Sequence, residues 1–354
     1  MSTPEFVHLH SHTEYSLVDS TLRIPQLMER CVELGMPAVA LTDQNNLFGL
    51  VKFYRKAIAA GVKPVIGVDL RLSPGPDADR PTTLLLLCQN NEGYRNLCQL
   101  VTRCYLEGQV RGEPMAKREW LDATSCAGLI ALSGGSHGDV GQALSNGHTE
   151  QARERLASWL AVFPNRYYLE LIRTGRAGEE TCVQASLALA AELKVPVVAS
   201  NDVRFLNAED FDAHEARVCI HESRALADPD RPRNYSAEQY LRSPREMAEL
   251  FADIPVALQN SVEIARRCTL DLKLGESVLP AFPVPEDQDE GSYLETVARR
   301  GLDEALAKKY VLEDVPDNEK DAYRAPYDQR LATELEVIGS MGFPGYFLVV
   351  ADFI

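Results

Sequence analysis

Apolar residues along the chain follow two alternating patterns. Short runs dominated by Leu, Val, Ile and Ala predict strands at Phe6–His10, Ala38–Thr42, Val65–Leu70, Leu84–Cys88, Leu129–Ser133, Tyr168–Ile172 and Val197–Ser200. Between them, apolar positions three and four apart predict amphipathic helices over Pro25–Leu34, Leu50–Ala60, Glu92–Tyr105, Glu150–Val162 and Glu179–Leu193. Gly35 and Gly61 directly follow two of these and suit helix C-caps. The alternation amounts to about seven β/α units and predicts a mainly parallel sheet, either open or closed into a barrel. Polar residues favour the barrel. His10 and His12, Thr42-Asp43, Asp69, and Asn201-Asp202 fall at or just past the ends of different strands. A barrel gathers such positions at one site, whereas an open sheet gathers fewer around its switch point.

After Ser200 the pattern turns helical, at Ala208–Ile220, Pro244–Phe251 and Pro255–Cys268, with the irregular run DPDRPRNYS among them. The Pro-rich and acidic stretch Leu279–Gly291 reads as a linker, followed by charged helices at Tyr293–Lys309 and Asp328–Gly339. The last residues, MGFPGYFLVVADFI, are apolar with no stop signal, which leads us to expect a longer natural protein. The expected division is 1–270 and 271–354.

The chain has 354 residues, 45% hydrophobic and 25% charged, as in ordinary globular proteins. Its net charge of −16 disfavours a broad electrostatic grip on DNA. Eight cysteines without a C-x-x-C pair are expected as reduced core thiols of a cytoplasmic protein. The N-terminus lacks the apolar core of a signal peptide, and no apolar run of about 18 residues is present, so no membrane span is expected.

The strongest local chemistry is His8-Leu9-His10-Ser11-His12, with Asp19 seven residues beyond His12. In an extended segment, His-x-His puts two imidazoles on one side, a common opening for a divalent metal site. Asp43 reads as a turn or cap residue. His137, His148, His214 and His221 read as surface or helix residues without a role. Gly342–Gly345 lacks the Lys and Ser/Thr of a phosphate loop.

Several ordered stretches carry a family resemblance: FVHLHSHTEYSLVD (6–19), MPAVALTDQNNLFGLVKFYRKAIAAGVKPVIGVD (36–69), LLLLCQNNEGYRNLCQL (84–100), GLIALSGG (128–135), YYLELIR (167–173), VVASNDVRFLNAEDFDAH (197–214), 231–268 and 341–354. Together they resemble the PHP (polymerase and histidinol phosphatase) family, in the form found in proteobacterial DNA polymerase III alpha subunits. The resemblance implies an α/β fold. A PHP-type distorted (β/α)7 barrel would occupy 1–270, and a mostly helical extension and the start of a polymerase palm would follow in 271–354.

The resemblance also implies a metal site. His10, His12, Asp19 and Asp202 match its ligand positions, and Asp69 stands where the family usually has Glu. Gln44, Thr83, Gly135 and Arg204 replace donors, so the PHP zinc or manganese is expected to be weak or absent. A single ion on His10, His12 and Asp19 is the remnant expected. The implied function is template-directed DNA synthesis by the full-length polymerase, with Mg2+, primer-template DNA and dNTPs. This part would act as scaffold and docking site for the proofreading exonuclease (epsilon) subunit in the replisome. The competing reading is residual metal-dependent phosphoesterase or pyrophosphatase activity.

Overall fold

The computed structural model describes residues 6–74, 80–276 and 279–354. Eight strands occur among them: β1 (Ala38–Leu41), β2 (Lys63–Leu72), β3 (Thr82–Cys88), β4 (Gln109–Val110), β5 (Glu113–Pro114), β6 (Leu129–Leu132), β7 (Tyr167–Ile172) and β8 (Val197–Ser200). β4 and β5 form a separate short hairpin. The other six make one sheet in the order β1-β2-β3-β6-β7-β8. Helices fill the connections: α1 (Ile24–Glu33), α2 (Leu50–Ala59), α3 (Asn91–Glu107), α4 (Asp139–Ser145), α5 (Thr149–Val162), α6 (Glu179–Leu193), α7 (Phe211–His221), α8 (Pro244–Leu250) and α9 (Pro255–Arg267).

The predicted first strand, Phe6–His10, is an irregular extended segment instead. It bridges the two sheet edges. Ala40 N donates to His8 O and Thr42 N to Ser11 O on the β1 side. Val203 N donates to His10 O, and His12 N to Val203 O, on the β8 side. With this segment the sheet curls into the distorted barrel. One departure from the expected parallel order is β3, which runs antiparallel to both β2 and β6. Only nine residues separate β2 from β3, fewer than the dozen or so that a parallel crossover needs, so β3 pairs antiparallel beside β2.

Strand periodicity explains both the core and the site. Leu84, Leu86 and Cys88 join the large apolar layer with the helices, while Leu85 and Leu87 belong to a second cluster. The run LLLLC is therefore apolar throughout because both faces are buried. The second cluster also takes Val65, Tyr168 and Val198 and is covered by Val262, Ala265 and Cys268. Moving along the same strands by twos from Val65, Tyr168 and Val198 reaches Asp69, Glu170 and Ser200, all buried, with buried Asp202 just past the end of β8. The polar site is thus a continuation of that apolar face.

The eight cysteines are free thiols, seven of them buried. The chain separates into two compact units, Met1–Leu272 and Lys273–Ile354. The second contains α10 (Glu290–Leu312), α11 (Lys320–Ser340) and α12 (Pro344–Phe353). The α11 helix begins before the predicted Asp328 and carries Pro326 in its interior, where the ring removes one i→i−4 hydrogen bond. No single helix among the described residues is long and apolar enough to cross a membrane.

Candidate functional site

His10 and His12 project from the segment that joins the sheet edges. Their ring atoms and an oxygen of Asp69, on β2, lie within 4.8 Å of one another. His10 Nε2, His12 Nε2 and Asp69 Oδ1 are buried without hydrogen-bond partners. Asp69 lies inside β2, not at its end, because that strand runs on to Leu72.

On its other side, each imidazole is fixed by a carboxylate. His10 Nδ1 lies 2.9 Å from Glu170 Oε1, which also accepts from Ser200 Oγ at 2.5 Å. His12 Nδ1 lies 3.1 Å from Asp19 Oδ1. At His10 this contact sets the Nδ1–H tautomer, whereas His12 Nδ1 is shared between Asp19 and the Arg204 guanidinium. Both Nε2 atoms face Asp69, 3.7 Å from His10 and 3.3 Å from His12.

Arg204 reaches the same cluster. Its Nη1 donates to Asp19, and its Nε donates to Asp202 Oδ1 at 2.8 Å. Asp202 also accepts from Gln239 Nε2 at 2.9 Å and pairs with Arg176 Nη2 at 3.2 Å. Arg176 Nε in turn donates to Glu179 Oε1 at 2.6 Å. The result is an alternating row of charge: Glu170, His10, Asp69, His12, Asp19, Arg204, Asp202, Arg176, Glu179.

The row governs ionisation. Burial lowers the pKa of His10, but Glu170 and Asp202 outweigh it and hold the imidazole well above its ordinary value. For His12, burial and Arg204 both act downward, and Asp19 and Asp69 still bring it up. Burial would raise Asp69, yet the adjacent imidazoles of His10 and His12 hold it far below the carboxylate range. Asp202 is depressed in the same way, chiefly by Arg204 and His10 against burial. Asp19 is lowered to about 2, with Arg204 and His12 overcoming burial.

Three convergent donors, two imidazoles and one carboxylate, fit one divalent ion. The third donor is Asp69. Asp19, expected in that place, lies on the Nδ1 side of His12 and is engaged by Arg204. Gln44, Thr83 and Gly135 make no hydrogen bond to this group among the described residues. Gln44 instead forms a β-bridge with Asp69, and its N donates to Ser16 Oγ at 3.1 Å. Gly135 faces apolar contacts: a Cβ there would meet Ile172 Cδ1 at 2.8 Å. When bound, an ion at the three donors would supply Lewis acidity to a phosphoryl oxygen or a bound water. It would have to displace the protons on both imidazoles, so loading falls with acidity.

Residues 8–174 match the family model described as PHP domain. That match spans a little under half of the chain. Residues 292–354 match the model described as Bacterial DNA polymerase III alpha NTPase domain. The DNA polymerase III subunit alpha of Pseudomonas aeruginosa is 49% identical over 352 residues, 99% of this chain and 30% of that protein. The subunit of the same name from Escherichia coli K12 is 49% identical over 355 residues, 100% of this chain and again 30% of its own. The chain therefore spans about 30% of the length of the curated relatives it matches. An amidohydrolase from Chromobacterium violaceum, solved with bound sulfate and no metal, covers 60% of this chain and 96% of its own at 13% identity and TM-score 0.39.

Around the PHP cluster, reading the sequence missed Glu170, Arg176 and Gln239. Glu170 carried a signal: it is the one charged residue in the wholly buried strand YYLELI. Arg176 and Gln239 lie in loops with no such contrast. Asp43 is a buried anchor, as expected of a cap, and accepts from Thr13 N at 2.6 Å and Ser16 Oγ at 2.8 Å. His214, expected without a role, is buried in α7 and supports the Asp19 loop, with Nε2 2.9 Å from Asp19 O. His8 stays out of the cluster. Its Nε2 lies 2.8 Å from Arg242 O, and burial brings its pKa down to about 4.

Proposed function

We propose that this chain is the N-terminal part of a replicative DNA polymerase alpha subunit, and that its PHP barrel serves as scaffold rather than hydrolase. Identity of 49% along the whole chain supports the first half of this reading. The single observation that supports the second is the Arg204 guanidinium between Asp19 and Asp202. A fixed cation there repels a metal and takes up two carboxylates that a multi-metal site would need. Template-directed synthesis, with Mg2+, primer-template DNA and dNTPs, then belongs to the full-length chain in the cytoplasm. The barrel supports that polymerase and docks the proofreading exonuclease (epsilon) subunit and, through it, the replisome.

Metal content tests the scaffold reading. The purified chain is incubated with zinc or manganese, dialysed and analysed for metal, with His12→Ala as control. We expect well under one ion per chain for both proteins. An ion retained at unit stoichiometry by wild type and lost in His12→Ala would sink the scaffold-only reading.

That second outcome has support of its own in the unpartnered Nε2 atoms of His10 and His12 beside Asp69. It corresponds to residual phosphoesterase or pyrophosphatase activity on a single ion. Such activity must depend on metal and vanish in His12→Ala. Turnover that survives the substitution arises elsewhere.

A further inference from the structure

We infer that the outward face of α2 rests on an anionic lipid surface, with its cations against headgroups and its apolar side chains at the acyl boundary. This goes beyond the scaffold reading and does not depend on it. Residues 44–68 contain no Asp or Glu, although the chain carries 52 of them in 354 residues. The same stretch contributes Lys52, Arg55, Lys56 and Lys63, all exposed. Lys52 pairs with Glu14 at 3.1 Å, whereas Arg55, Lys56 and Lys63 have no ion-pair partner among the described residues. Arg55 and Lys56 lie three and four positions beyond Lys52, which puts all three on one side of the helix, away from the buried Leu50, Phe53 and Ala57.

Apolar side chains stand out from the same region. Val51 and Ile58 are both exposed and lie about 10 Å apart along α2. Phe48, just before the helix, packs against Tyr105 at the end of α3, with ring centroids 6.2 Å apart, and Leu106 follows. Phe48, Ile58 and Leu106 are 59%, 57% and 78% exposed. Residues lining a groove for a partner helix are more deeply covered, whereas these protrude as membrane-inserting side chains do. Single-stranded nucleic acid would use the cations and stack on Phe48 and Tyr105, but those rings are tilted by 55° and the aliphatic side chains add nothing to stacking. A bilayer interface uses both sets: Lys and Arg reach headgroups while Val51, Ile58 and Leu106 enter the acyl boundary.

The net charge of −16 does not oppose this contact. At physiological ionic strength the Debye length is about 8 Å, so charges on the far side of the barrel are screened from a surface at α2. Local acids are mostly engaged. Glu14 is held by Lys52, and Glu107, next to Leu106, by Arg103 at 2.8 Å. On the neighbouring α1, Glu33 pairs with Arg30 at 3.0 Å, which leaves Glu29 as one unpaired acid against three unpaired cations among the described residues.

The test is co-sedimentation of the full 354-residue chain, in EDTA, with vesicles of equal parts phosphatidylglycerol and phosphatidylcholine and with vesicles of phosphatidylcholine alone. EDTA keeps metal out of the measurement, so failure here leaves the metal and scaffold readings untouched. We expect binding to the anionic vesicles at about 0.1 M salt and its loss at about 1 M, where the Debye length falls to about 3 Å. Arg55→Gln with Lys56→Gln should weaken binding roughly 25-fold, about fivefold per cation. Ile58→Ser should weaken it roughly tenfold through lost apolar burial. All three positions are exposed, so these variants should keep the wild-type urea midpoint. Arg245→Gln with Arg266→Gln removes the same charge from exposed sites on α8 and α9 and should bind as wild type does. Equal sedimentation with both kinds of vesicle, or with neither, overturns the assignment. So does wild-type affinity in the α2 pair or in Ile58→Ser, or an equal loss in the α8 and α9 pair. Binding of oligothymidylate that is lost in the α2 pair, with no binding of vesicles, would give the face to nucleic acid and overturn it as well.

Discussion

Replacing Arg204 with methionine is expected to destabilise the barrel by about 3–5 kcal/mol at neutral pH, the usual cost of stripping one partner from a buried charge pair. Arg204 is 6% exposed and sits between Asp19 and Asp202, themselves 6% and 1% exposed. Methionine retains the apolar stem but leaves both carboxylates without the guanidinium. Asp202 keeps Arg176 and Gln239, and Asp19 keeps His12, so neither carboxylate is left without a partner.

Urea denaturation as a function of pH tests the cause as well as the size. Asp19 is held at about 2 in the folded protein, below its unfolded value of about 3.9. Its contribution of about 2–3 kcal/mol is therefore complete above the unfolded value and disappears as pH falls through the folded one. The gap between wild type and Arg204→Met should narrow as pH is lowered from 5 towards 2. A gap that stays constant over that range would sink the electrostatic explanation. The imidazoles act with the opposite sign. His10 and His12 are raised, so their contribution is complete below about 6.5 and lost as pH rises through the folded values.

Gly138→Ala is expected to cost about 3 kcal/mol, through space and not backbone conformation. Gly138 caps α4 with φ −76° and ψ 162°, values open to any residue. A Cβ there would lie 1.6 Å from Ser133 O, so either the turn or the end of β6 must move. The disturbance also reaches the site. Ser133 Oγ accepts from Glu170 N at 2.9 Å, and Glu170 orients His10. Gly112→Ala serves as the comparison: its φ is +85° and its Cβ would meet nothing within 4 Å. Only the conformational cost of about 1 kcal/mol should remain there. Equal urea midpoints for the two variants would show that close packing at Gly138 is not what requires glycine.

Most of the elements were legible in the pattern of apolar residues. Fully buried strands such as β3 and β7 read as apolar runs, and helices such as α1 and α2 show spacing that needs no partner to recognise. Through the stretches that resemble the PHP family the sequence also singled out His10, His12, Asp19, Asp69, Asp202 and Arg204, which the fold brings into one cluster. Three things it left to tertiary structure. The direction of β3 depends on how a connection too short for a crossover returns, which periodicity does not encode. The irregular bridging segment 6–12 reads as a strand because its alternation is that of one, although its partners change from β1 to the residues after β8. The identity of each charge's partner is the third. Asp19 and Asp69 are both carboxylates near two histidines, and only the fold puts Asp69 at the Nε2 atoms and hands Asp19 to Arg204. Glu170 and Arg176 come from strands and loops far along the chain. Burial, which makes their charges costly unless paired, exists only once the barrel has closed.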